Sequence, residues 1–170
     1  HQFALGLLEL GLKKGDKIMT VTNNRPQWNF VDMGMSMAGL VHVPVYTSMN
    51  TEEYAYIMDH SDAQMVIVSD QKLYSLIQPA FAKQKKARHL YTFDPIEGAA
   101  IWTELLEKGK VAGSGAREKL DSIKQKITPD EVVSIIYTSG TTGRSKGVML
   151  SHHNLVSNFL AAAEVFQLNQ

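Results

Sequence analysis

Short apolar runs alternate along this chain with stretches in which apolar residues recur every three or four positions, a pattern that predicts repeated βαβ units. Phe3, Leu7, Leu8 and Leu12 share one side of a helix over 1–12, which Gly11 and the Lys-Lys-Gly-Asp turn end. A strand follows over 17–22. Pro26 is suited to the first turn of a helix carrying Trp28, Val31, Met35 and Leu40, and a short buried strand returns over 41–45. Asn50 and Glu53 have the spacing of a capping box for a helix over 51–59. Strands are expected over 65–68 and 89–93. Between them a helix over 71–86 contains Pro79, which should kink or split it. Glycines 109, 113 and 115 mark a surface loop over 108–119, followed by a polar helix over 117–126. Thr128-Pro129-Asp130-Glu131 reads as a cap and one helical turn before a strand over 133–137. A further strand over 147–150 and an apolar helix over 154–166 are expected after it.

Strands buried on both faces need a covering layer on each side, and crossovers between parallel strands are right-handed. The expected fold class is therefore α/β, a doubly wound, mostly parallel sheet with helices on both faces. Ligands in such sheets bind beyond the carboxyl ends of the strands.

Composition excludes more than it assigns. Of 170 residues, 44% are hydrophobic and 20% charged, as in ordinary globular proteins. Lys+Arg and Asp+Glu balance at 17 each, so no global field favours nucleic acid or an anionic membrane. The absence of cysteine removes disulfides, thiolate metal sites and cysteine nucleophiles together. No apolar run approaches the ~18 residues of a membrane span, and the first twelve residues lack a signal-peptide pattern. A cytoplasmic enzyme is expected, with peripheral membrane contact through its substrate left open.

The chemistry concentrates in YTSGTTGRSKGV, residues 137–148, directly after an apolar run. Gly140, Gly143 and Gly147 permit close backbone approach, so successive N–H groups can turn toward one anion. Ser139, Thr141 and Thr142 add short donors, and Lys146 adds a mobile positive charge. The stretch matches neither the P-loop motif nor GxGxxG. It resembles the signature loop of the adenylate-forming acyl-CoA synthetases, with Ser145 where most of that superfamily has proline. Residues 15–28, 38–46 and 56–70 resemble the successive N-terminal segments of long-chain fatty acid–CoA ligases.

That resemblance implies an N-terminal piece, residues 1–170, of the AMP-binding domain of an AMP-forming long-chain fatty acid–CoA ligase, without the C-terminal domain. In such enzymes a fatty acid carboxylate attacks the α-phosphorus of ATP, giving acyl-AMP and pyrophosphate, and the CoA thiol then displaces AMP. The resemblance implies that Lys146 and the N–H groups of Ser139, Gly140, Thr141, Thr142 and Gly143 hold the phosphates, and that Thr138 contributes to Mg²⁺ coordination. Residues for adenine and ribose, a Mg²⁺-binding glutamate and the adenylation lysine have no counterpart here. The 170 residues alone are therefore expected to be catalytically silent. They should self-associate through Leu155, Phe159, Leu160 and Phe166. The alternatives are another adenylate-forming enzyme, such as an adenylation domain or a luciferase-like protein, and a non-catalytic phosphate-binding module.

Other candidates have plainer readings. His152 and His153 read as a helix cap and a solvated neighbour, and Met33, Met35 and Met37 as core filler. Lys83, Lys85, Lys86 and Arg88 read as a solvated helix end, and Arg25-Pro26 with Trp28 as a strand-to-helix turn bearing a packing indole.

Overall fold

The computed structural model describes residues 1–139 and 144–166. The chain opens with α1 (Gln2–Glu9), β1 (Lys17–Val21), α2 (Pro26–Met37), β2 (Val41–Val45), α3 (Thr51–His60), β3 (Ala63–Val68), α4 (Gln71–Phe81) and β4 (His89–Thr92). There follow β5 (Ala100–Ile101), α5 (Thr103–Lys110), α6 (Ser114–Lys126), β6 (Val132–Thr138), β7 (Lys146–Ser151) and α7 (His152–Val165). Among the described residues the strands form one seven-stranded sheet ordered β5-β4-β3-β1-β2-β6-β7. All neighbours are parallel except β6 and β7, which pair antiparallel. This is the doubly wound α/β sheet that the hydrophobic pattern requires.

Topology decides which helix covers which face. The step from β1 to β2 runs one way along the sheet, and the step from β2 to β3 runs back across β1. Right-handed crossovers then place α2 and α3 on opposite faces, with α4 beside α3 and with α5 and α6 beside α2. The side chains agree. Ile18, Met65 and Ile67 pack with Phe3, Leu7, Met35, Leu105 and Leu120 on one face. Their strand neighbours Met19, Val66 and Val68 pack with Tyr54, Ile57, Met58 and Ile77 on the other, as the two-residue period of a strand dictates. Asn50 caps α3 by accepting from the Glu52 and Glu53 N–H groups, while Glu53 accepts from the Asn50 N–H, so the expected capping box is present.

The surface loop expected over 108–119 is instead mostly helix, with only residues 111–113 between α5 and α6. Gly109 is a packing glycine rather than a breaker. A Cβ on it would stand 1.8 Å from the Gln2 carbonyl oxygen, and one on Gly6 would stand 1.9 Å from that of Leu105. The pair lets α1 and α5 meet backbone to backbone. Gly113 supplies the extended N-cap of α6, which therefore starts at Ser114, three residues before the expected position.

Three boundaries also move. α4 is not split at Pro79, which lacks only the N–H of its own rung, but it stops two residues later, at Phe81. The basic run thus lies in a turn, where Lys86 pairs with the Asp62 carboxylate. Thr128 to Glu131 forms a turn rather than a helical one, in which the Glu131 carboxylate accepts from the Thr128 N–H at 3.2 Å. The cap of α7 is Ser151, not a histidine. Its hydroxyl accepts from the Asn154 N–H, and the Asn154 side chain accepts from the Ser151 N–H at 2.9 Å.

Candidate functional site

β6 and β7 form a hairpin whose closed end is the 139–145 segment, at the carboxyl edge of the parallel sheet. Register pairs Tyr137 with Gly147 and Thr138 with Lys146. Directly opposed residues of an antiparallel pair project to the same face, so the Thr138 hydroxyl and the Lys146 ammonium leave the hairpin on one side. Both residues are exposed, as is Ser139. On the other face the Tyr137 ring lies over Gly147, where a Cβ would stand 2.8 Å from Ile135 Cγ2 and 3.3 Å from the ring. Gly147 thus makes room for an aromatic side chain. Gly140, Thr141, Thr142 and Gly143 lie outside the described residues.

Two residues that the sequence did not single out touch the stems of this segment. His60 Nδ1 is 2.7 Å from the Tyr137 hydroxyl, and the Tyr56 hydroxyl donates to the Ser145 carbonyl at 3.1 Å. The Arg144 guanidinium sits over the Tyr56 ring, 5.4 Å from its centroid. Burial, with the nearby Tyr56 and Asp62 adding to it, pushes the Tyr137 phenol up to about 12, so it stays protonated across the physiological range.

Beside the hairpin a crevice of about 490 Å³ opens at the carboxyl ends of β1 and β2, between Asn23, Trp28, Tyr46, Thr47 and Ile136. Here the chain leaves adjacent strands toward opposite faces, which is where open α/β sheets form ligand clefts. The polar framework below it is structural. Arg25 donates to Asp94 Oδ1 at 2.8 Å and to the Ser69 carbonyl at 3.2 Å, with its guanidinium over the Phe93 ring. It therefore ties the ends of β1, β3 and β4 together. His42 bridges Asp32 and Thr20 at 2.7 Å each and packs against Trp28. That set resembles a nucleophilic triad in residue types only, because the Thr20 side chain belongs to a residue 1% exposed, beyond reach of a substrate. Among the described residues no three metal-ligating side chains of the His, Cys, Asp and Glu types come together, and no helix is long and apolar enough to cross a membrane.

Comparison with known proteins decides the family. The model of the AMP-binding enzymes matches residues 1–170. The chain belongs to the AMP-binding enzyme family. Among relatives of this AMP-binding chain, a long-chain-fatty-acid–CoA ligase, ACSBG2 of Xenopus laevis, is 30% identical across 98% of the chain and 23% of the relative. The crystal structure of the long-chain-fatty-acid-CoA ligase FadD1 from Archaeoglobus fulgidus superposes with a TM-score of 0.77 at 24% identity, over 95% of this chain and 30% of that one, which is a likeness of fold. ATP-bound MatB from Rhodopseudomonas palustris is 28% identical with a TM-score of 0.73, over 96% of this chain and 30% of that one. The 170 residues thus span about a quarter to a third of the proteins they resemble.

Proposed function

We infer that this AMP-binding chain supplies the ATP phosphate-binding loop of an enzyme that activates a long-chain fatty acid, first as acyl-AMP and then as acyl-CoA. The observation that carries the reading is the hairpin register, which sets Lys146 opposite Thr138 at the mouth of a Gly/Ser/Thr segment in a chain of this family. As the carboxylate attacks the α-phosphorus, charge builds on the departing pyrophosphate. Stabilising that charge is the main demand on the protein. Lys146 would neutralise it, and the N–H groups of Ser139, Gly140, Thr141, Thr142 and Gly143 would donate to the phosphate oxygens.

Mg²⁺ fits the residues present as an ion brought in with the nucleotide. The exposed Thr138 hydroxyl is a hard oxygen ligand of the type Mg²⁺ takes, and no carboxylate cage surrounds it among the described residues. Bound there, the ion would shield the phosphate charge. Thr138 would orient it, and Lys146 would meet the same phosphates from the facing strand.

The CoA thiol would take the acyl group in the second half-reaction, in the cytoplasm, with fatty acid presented from solution or from a membrane surface. The 170 residues taken alone would self-associate through α7 and the residue that follows it, where Phe159 is 66% and Phe166 72% exposed. ATP–pyrophosphate exchange by the natural gene product, run across carboxylic acids of increasing chain length, tests the reading. It is expected to peak with long-chain acids, and exchange independent of any carboxylic acid contradicts it.

A further inference from the structure

The loop-bearing hairpin lies at one edge of the sheet. The ladder between β6 and β2 pairs Ser134 with His42, four residues before Thr138. Beyond that point β6 runs on with β7 beside it, and β7 is the edge strand. Contacts from outside the sheet ladder can also fix the mouth of the hairpin, where Thr138 and Lys146 are to meet a phosphate at a set distance.

α3 is placed to do so. Tyr56 and His60 stand four positions apart on one helical face, with ring centroids 5.3 Å apart. His60 reaches the Tyr137 hydroxyl on the incoming strand, and Tyr56 reaches the Ser145 carbonyl on the outgoing one, so one helix face grips both stems. The His60 ring meets the Tyr137 ring edge-on, with centroids at 5.8 Å. α3 is itself rigidly seated. Tyr54 is fully buried and donates to the Tyr46 carbonyl at 3.0 Å, the Thr51 hydroxyl donates to the Leu76 carbonyl, and the Gln84 amide donates to the Ala55 carbonyl. A polar group held on a rigid, packed element transmits its position to what it binds.

We propose that Tyr56 and His60 are positioning residues for the nucleotide phosphates, clamping the two stems of the 139–145 segment onto α3 and so setting where Lys146 and Thr138 stand. This rests on the ATP role of the segment inferred above. Neither residue touches the reacting atoms, so each acts through the hairpin.

The test is steady-state kinetics on the natural gene product with ATP and carboxylate varied separately, together with thermal unfolding. Tyr56→Phe removes the hydroxyl and keeps the ring under Arg144. His60→Leu removes the link to Tyr137, and His60→Gln restores a group able to hydrogen-bond it. Losing one such neutral hydrogen bond is expected to raise the ATP KM about three- to ten-fold. The carboxylate KM should stay unchanged, His60→Gln should recover part of the loss, and the Tyr56→Phe melting temperature should match that of wild type. An ATP KM unmoved by Tyr56→Phe and His60→Leu in an active enzyme overturns the positioning role alone. So does a rise in both KM values together with a fall in melting temperature, which would mark ordinary fold support. A wild-type protein with no ATP-dependent activation of any carboxylic acid overturns the ligase reading and this inference with it.

Discussion

Thr138 and Lys146 are direct cross-strand partners at the loop end of the β6–β7 hairpin. Opposed positions in an antiparallel pair lie about 4.5–5.5 Å apart at Cα, so the chain leaves and re-enters the sheet within the width of one phosphate group. A hydroxyl and an ammonium therefore reach the same face from the two ends of one loop. Neither depends on a distant part of the chain for its placement beside the other.

Gly109→Ala is expected to destabilise the protein by about 1–3 kcal/mol, the range for forcing an extra methyl group into a packed contact. Its Cβ would stand 1.8 Å from the Gln2 carbonyl oxygen, so α1 and α5 must move apart. Urea unfolding monitored by far-UV circular dichroism checks this. A stability equal to wild type would mean that Gly109 sits in open surface, as a loop would have it.

The contrast at Gly109 shows where sequence reasoning reaches its limit. Strands such as β1 and β3 are legible because a short, mostly apolar run buried on both faces stands out between polar turns. The Asn50 and Glu53 box is legible because its two partners are three residues apart. A glycine, however, signals a turn and a close helix contact with the same letter. Only the opposing backbone of α1 separates the two, and Gly6 lies 103 positions away. The site divides in the same way. Lys146 and the hydroxyl residues stand out as composition, whereas the Tyr56 and His60 contacts span 89 and 77 positions and leave no local trace.

Acid should destabilise the fold through Asp70. Burial alone would raise its pKa, but the Leu73 N–H, the Ser69 hydroxyl and the Lys72 N–H outweigh burial and hold it below its ordinary value of 3.8. A carboxylate with a lower pKa folded than unfolded contributes stability that is present above the unfolded value and is lost as pH falls through the folded one. Asp70→Asn keeps an acceptor to cap α4 and removes the titration. Between about pH 5 and 2 the variant's urea midpoint should fall less than that of wild type. Parallel falls would show that Asp70 does not drive the acid limb.

The 170-residue chain prepared alone is expected to form dimers or larger species through α7, none of whose residues is buried. Phe159→Asp puts a charge in the middle of that face and should return it to a monomer. Size-exclusion chromatography with light scattering reads the result. A monomeric wild-type chain would show that the face does not associate.

The central claim is that Lys146 meets the phosphates of ATP. Removing one charge-assisted contact costs about 1.5–3 kcal/mol, a factor of roughly 10 to 150. The decisive measurement is the rate of fatty-acid-dependent ATP–pyrophosphate exchange at subsaturating ATP, for the natural gene product and its Lys146→Ala variant. The account expects exchange that requires the fatty acid and slows by that factor in a variant of unchanged melting temperature. An equal rate in the two proteins would contradict it.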